Sequence, residues 1–148
     1  MAAYGSPAFY EGRPARDDIA VREVVRHEAS RERVLLEVRF AFTGSLSPAV
    51  RAVVDPGKMS WVTRSEILPG EARSSWVVLP DHYPDRLSAS GSYRFEEGDG
   101  GSGTCVVEVE GELKVRVPLV GKQVEKVIVN DLRAYIADEV TGIAGWEG

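Results

Sequence analysis

Few side chains in this 148-residue chain are of a type and spacing to do chemistry unaided. It has two histidines, His27 and His82, and one cysteine, Cys105, with no HExxH, CxxC or paired-histidine spacing, so no metal constellation can be assembled. His82 lies in Pro80-Asp81-His82-Tyr83-Pro84-Asp85, the densest titratable cluster. A histidine flanked by carboxylates suits a general base, yet the same six residues are ordinary turn formers, and turn chemistry is the commoner outcome for such a run. His27 alternates with Val25 and Ala29, which makes it either a polar handle pointing into a groove or, as is more frequent for a lone strand histidine, a hydrogen-bonded or solvent-facing residue. Cys105 falls on the apolar side of a strand, where a thiol behaves as a small hydrophobe. No serine stands in a G-x-S-x-G elbow, and the glycine run at 98–103 lacks the Lys and Ser/Thr of a phosphate loop. What remains is a set of aromatics. Trp61, Trp76 and Tyr93 each combine flat apolar area with one N–H or O–H donor, which suits the wall of a pocket for a partly polar guest and equally suits a packed core.

The elements that must position these residues are legible from periodicity. From Thr104 to Val117, Cys105, Val107, Val109, Gly111, Leu113, Val115 and Val117 alternate with Glu108, Glu110, Glu112, Lys114 and Arg116, the pattern of a long half-buried strand with a solvated acidic face. Pro118 to Gly121 turns this strand into an amphipathic helix over about 120–142, with one apolar stripe at 124, 127, 128, 132, 135, 136, 140 and 143. Upstream, 19–29 reads as a strand with a bulge between Val21 and Val24, and 34–42 as its hairpin partner, with Val34, Leu36, Val38, Phe40 and Phe42 on one side. Ser47-Pro48 starts a two-turn helix over 49–54, stopped by Asp55-Pro56-Gly57. Strands follow over 58–68, 73–79 and 86–95; Pro69-Gly70 turns the first, with Gly70 taking the positive φ, and a Gly/Ser tip over 96–103 turns the last. Residues 1–16 read as irregular, with at most one helical turn from Pro7 to Gly12 capped by Ser6.

Six strands joined mostly by short turns require an antiparallel meander, and a curved sheet cannot mesh everywhere with a straight helix. The fold class is therefore α+β, with a curved antiparallel sheet of about six strands packed on a long C-terminal helix in one domain over 1–148. The presumed concave face carries Phe40, Trp61, Trp76 and Tyr93 beside Thr63, Ala89, Gly91 and Gly111. Small residues at mid-strand either keep space for a guest or mark sharp bending and close helix approach; both readings fit. A net charge of -5 without a Lys/Arg cluster excludes affinity driven by a phosphate backbone, and so argues against a nucleic-acid partner. A single cysteine leaves no intrachain disulfide and fits a reducing, cytoplasmic compartment. No apolar window of ~18 residues exists to span a membrane, and the first residues lack a signal peptide's charged and hydrophobic regions.

The meander ending in VPLVGKQVEKVIVNDLRAYIADE resembles the helix-grip proteins of the SRPBCC superfamily, which includes START lipid-transfer domains, polyketide cyclases and plant pathogenesis-related allergens. Within it, SPAFYEGRP, FAFTGSLSPAVRAVVDPGKMSWV, LPDHYPDRLSASGSYRF and VEGELKVRVPLVGKQVEKVI are similar to an actinobacterial-type family described only as a domain of unknown function. The resemblance implies a cavity between sheet and helix for a small hydrophobic or amphipathic molecule of lipid, isoprenoid or polyketide type, with no cofactor. Its expected lining is His27, Phe40, Trp61, Thr63, Trp76, Tyr93 and Leu113 from the sheet, with Val124, Ile128, Leu132 and Tyr135 from the helix. A polyketide cyclase-like enzyme is the alternative, with Tyr93, Thr63 or His27 steering an aldol-type ring closure. A third reading is an interaction module that recruits a strand. Such proteins begin with a strand and a helix before the segment like SPAFYE, and five residues precede it here, so the expectation is either a start further upstream or an open sheet edge, which pairs with a second copy or leaves the chain alone unstable.

Overall fold

A computed structural model describes residues 2–13, 18–98, 105–144 and 146. Six strands, β1 (Ile19–Ala29), β2 (Val34–Phe42), β3 (Ser60–Leu68), β4 (Arg73–Pro80), β5 (Leu87–Glu97) and β6 (Cys105–Val115), form one antiparallel sheet in chain order. Three helices, α1 (Pro7–Glu11), α2 (Pro48–Arg51) and α3 (Gly121–Ala144), accompany it. The 24 residues of α3 span about 36 Å at 1.5 Å per residue, enough to cross the curved sheet. The class is α+β.

Register explains the layering. Across the sheet, Leu36, Ser65, Trp76, Gly91 and Gly111 form one row on the concave face, and Val38, Thr63, Val78, Ala89 and Leu113 the next. The small residues at 91 and 111 are explained by the indole between them. A Cβ on Gly91 would lie 2.5 Å from Trp76 Cζ2, and one on Gly111 would lie 2.8 Å from the same atom. Those glycines hold space for Trp76 and for the close backbone of the neighbouring strands, the Glu110 carbonyl at Gly91 and the Ser90 carbonyl at Gly111. On the convex face, cross-strand ion pairs tie the strands: Arg64 Nε lies 2.6 Å from Glu37 Oε1, and Arg39 bridges Glu23 and Asp81.

Several expectations change. β1 carries two register shifts, at Val21/Glu23 and Val24/Arg26, where one bulge is predicted. The 49–54 helix shortens to Pro48–Arg51, with the Ser47 side chain accepting from the Val50 N–H, and Asp55 opens a separate 3-10 turn over Pro56–Lys58. At the β3–β4 connection the positive φ falls on Ala72 (50°) rather than on Gly70. Cys105 is exposed instead of buried, because it begins edge strand β6 opposite Glu97, beyond the reach of the helix. The long strand ends at Val115, and a Cβ on Gly121 would lie 2.7 Å from the Val115 carbonyl oxygen, so a glycine lets α3 start against β6. The predicted hairpin tip falls at 99–104 for the most part, outside the described residues.

The N-terminal segment is the largest departure. It is folded: a 3-10 turn (Ala2–Gly5) and α1 bury Ala3, Tyr4, Phe9 and Tyr10. Ala3, Phe9 and Tyr10 join Ile19, Leu36, Val38 and Phe40 in the core, and Tyr4 packs on Tyr93 and Phe95 with ring centroids 5.1 and 5.2 Å apart. The segment closes one end of the space between sheet and α3.

Candidate functional site

Sheet and helix do not fill the space between them. Two adjoining cavities of about 80 and 100 Å³ lie there, sharing Ile19, Trp61, Val78 and Leu132 in their walls. The first is walled by Phe40, Trp61, Thr63, Trp76 and Tyr93 of the sheet, Leu132 and Tyr135 of α3, and Tyr4 and Tyr10 of the N-terminal segment. Leu113, Val124 and Ile128 wall the second, toward the start of α3. Of the residues expected to line the groove, only His27 lies outside both. It sits opposite the buried Leu36, on the expected face, but near the end of edge strand β1, where it is exposed. His82 reaches the rim of the second cavity, while its neighbour Asp81 accepts hydrogen bonds from Ser60 Oγ at 2.7 Å and Arg39 at 3.3 Å, which gives that cluster a role in holding the turn.

The polar end of the first cavity centres on Glu139, only 3% exposed. Tyr93 donates its hydroxyl to Glu139 Oε2 at 3.3 Å, Tyr10 donates a second hydrogen bond, and Arg13 Nη1 lies 3.9 Å from Oε1. Burial raises the carboxyl to about pKa 7, against the lowering pull of Arg13 and the two tyrosine hydrogen bonds. Burial followed by the nearby Glu139 charge pushes the Tyr93 and Tyr10 hydroxyls well above their ordinary range, so both remain donors. Arg13 is held by Asp138 at 3.2 Å and lies over the rings of Phe9 and Tyr135. Among the described residues, Tyr4 Oη, Trp76 Nε1 and Arg13 Nη1 are out of solvent without a hydrogen-bond partner. A buried polar group left in that state costs about 1–3 kcal/mol. Among the described residues, no group of three or more His, Cys, Asp or Glu could hold a metal ion.

Residues 1–146 match the family described as "Protein of unknown function (DUF2505)". The chain belongs to the DUF2505 family. No curated protein and no solved structure matches it. In this DUF2505 chain the residues that sequence reasoning missed are Glu139, Tyr4, Tyr10 and Arg13. Glu139 carries a signal, since it stands four residues after Tyr135 and seven after Leu132 and so shares the apolar stripe, an unusual place for a carboxylate. Tyr4 and Tyr10 carry a weaker one: aromatic residues at 4, 9 and 10 in an otherwise small-residue segment.

Proposed function

We propose that this DUF2505 chain binds a small, largely apolar molecule between the sheet and α3, with its polar end at Glu139 and the surrounding tyrosines. The reading rests on one observation, the pair of adjoining aromatic-walled cavities, one of which carries the buried carboxyl of Glu139 in its wall. Burial of apolar area supplies the affinity, at roughly 25 cal/mol per Å², and the polar end supplies orientation. Volume bounds the guest. An apolar cavity of about 150 Å³ holds benzene in an engineered protein, so the two spaces together suit one substituted ring, and a long acyl chain or fused polyketide requires α3 to move outward. Membership of the SRPBCC helix-grip superfamily and a cytoplasmic location belong to the same proposal; among the described residues no helix is long and apolar enough to cross a membrane. Thermal-shift measurement against a panel of small aromatic and terpenoid compounds tests it. A guest at about 100 times its Kd adds about 2.7 kcal/mol of stability, some 5–10 °C for a chain of this size. A panel of ring-sized compounds that leaves the melting temperature unchanged at millimolar concentration would reject the reading.

The second reading, an enzyme, is favoured by Glu139 itself, a buried carboxyl with pKa about 7 at the wall of a cavity with tyrosine donors at hand, as proton transfer requires. Turnover that disappears in Glu139→Gln while guest binding persists would support it. For the pairing of two copies through a sheet edge, the edges are β1 and β6. Bulges on β1 and exposed Glu108, Glu110 and Glu112 on β6 make both poor templates, so light scattering is expected to find a monomer.

A further inference from the structure

The sheet side of the first cavity carries three hydroxyls, Thr63, Ser65 and Ser74, none of which reaches the second cavity; Ser74 is only 4% exposed. They occupy three successive cross-strand rows, with Thr63 opposite Val78, Ser65 opposite Trp76, and Ser74 between Ile67 and Tyr93. Ser65 therefore stands within about 7–8 Å of each of the other two, close enough for one guest to meet more than one of them. Among the described residues none of the three side-chain oxygens has a hydrogen-bond partner, yet none is sealed from solvent as Tyr4 Oη, Trp76 Nε1 and Arg13 Nη1 are. Each oxygen keeps accessible surface, and on a concave face roofed by α3 that surface belongs to the cavity. A Ser or Thr hydroxyl donates one proton and accepts two, and a guest that displaces the water such a group holds must supply equivalent bonds or bind more weakly. A hydrocarbon supplies none, a carbonyl oxygen only accepts, and a hydroxyl does both. Glu139 adds acceptors to the same wall, and the Tyr93 and Tyr10 protons already point at it. The wall is thus richer in acceptors than in donors, which favours a guest that brings a proton.

We propose that the guest bears a hydroxyl group, seated in the first cavity against Thr63, Ser65 and Ser74, with its apolar remainder passing Trp61 and Leu132 toward the second cavity. This deepens the binding reading above and rests on it. The compounds 1-phenylethanol, acetophenone and cumene share one skeleton and carry CH–OH, C=O and CH–CH₃ at the same place. The affinity of the intact chain for each is measured by heteronuclear NMR titration at about pH 8, above the Glu139 titration. The expected result is 1-phenylethanol bound about threefold or more tightly than either comparator, the scale of one net hydrogen bond, although cumene is the more readily expelled from water. Ser74→Ala, Ser65→Ala and Thr63→Val each remove one hydroxyl with little change of volume. At least one of them is expected to halve the preference for 1-phenylethanol over cumene, while cumene affinity stays the same or rises; where one variant fails to fold, the other two decide. A preference smaller than about threefold over either comparator, or one that no folded variant halves, would overturn the hydroxyl assignment and leave the binding reading intact. No saturable binding of any of the three compounds would overturn both.

Discussion

Replacing Glu139 with Gln removes a carboxyl whose ionisation the fold resists, and the size of that resistance follows from its surroundings. In the folded chain Glu139 titrates at about 7, against an ordinary value of 4.5. Below about pH 4.5 both folded and unfolded chains hold the proton, and the group is neutral in its effect. Between about 4.5 and 7 the unfolded chain releases the proton while the folded chain keeps it, so stability falls as the pH rises; above about 7 the loss is constant. At roughly 1.4 kcal/mol per pH unit the whole loss is about 3 kcal/mol, most of which falls between about pH 5 and pH 8. That is a sizeable share of the 5–15 kcal/mol typical of a domain. Glutamine keeps a carbonyl oxygen for the Tyr93 and Tyr10 hydroxyls and has no charge to bury. Urea denaturation of both proteins across this range, followed by tryptophan fluorescence, isolates the effect, because every other titration cancels in the difference. The variant is expected to gain about 2–3 kcal/mol relative to the parent chain from the acid end to the alkaline end. Curves that stay parallel within about 0.5 kcal/mol would refute the reasoning.

Three other substitutions probe the same frame. Arg13→Met keeps the aliphatic length over Phe9 and Tyr135 but removes the guanidinium that lowers the Glu139 pKa, so the pH-linked fall in stability is expected to start at the same pH but to continue to higher pH and grow larger in the same denaturation series. Gly91→Ala would drive a methyl against Trp76 Cζ2 and the Glu110 carbonyl oxygen and is expected to cost about 2–3 kcal/mol, whereas Gly70→Ala, with nothing within 4 Å, is expected to stay within about 0.5 kcal/mol; thermal denaturation compares them. Leu132→Ala, at the wall between the two cavities, is expected to cost about 1–3 kcal/mol and to admit the two-ring probe naphthalene more tightly than the parent chain does, measured by fluorescence titration.

Strand alternation and turn chemistry made most of the fold legible, since each hairpin fixes its own register over a few residues. β2 and β1 match their expected bounds, and six strands in meander order follow from short connections alone. The concave aromatics were legible for the same reason: once Phe40, Trp61, Trp76 and Tyr93 alternate with polar neighbours, their common face is set. The roles of Gly91 and Gly111 were not, because the indole that fills the space above them comes from a different strand, and only the register of β4 against β5 and β6 brings the three together. Tyr4, Tyr10 and Arg13 were hidden in a segment without periodicity, whose order comes from docking at the end of the sheet rather than from local propensity. Glu139 was the one site residue overlooked despite a usable signal, a carboxylate on an apolar helix stripe. His27 shows the opposite failure: alternation places it on the correct face, opposite Leu36, but near the end of an edge strand that face is exposed.

The most direct test of the cavity as a binding site uses the three indole N–H resonances during titration with acetophenone. Trp61 and Trp76 wall the cavities, and Trp146 packs against Phe9 away from them, with ring centroids 6.1 Å apart. Saturable shifts of the Trp61 and Trp76 signals, with Trp146 unmoved, are the expected result. Indole signals that all stay in place at millimolar acetophenone, or that all move together without saturating, would contradict the binding of a guest between sheet and helix.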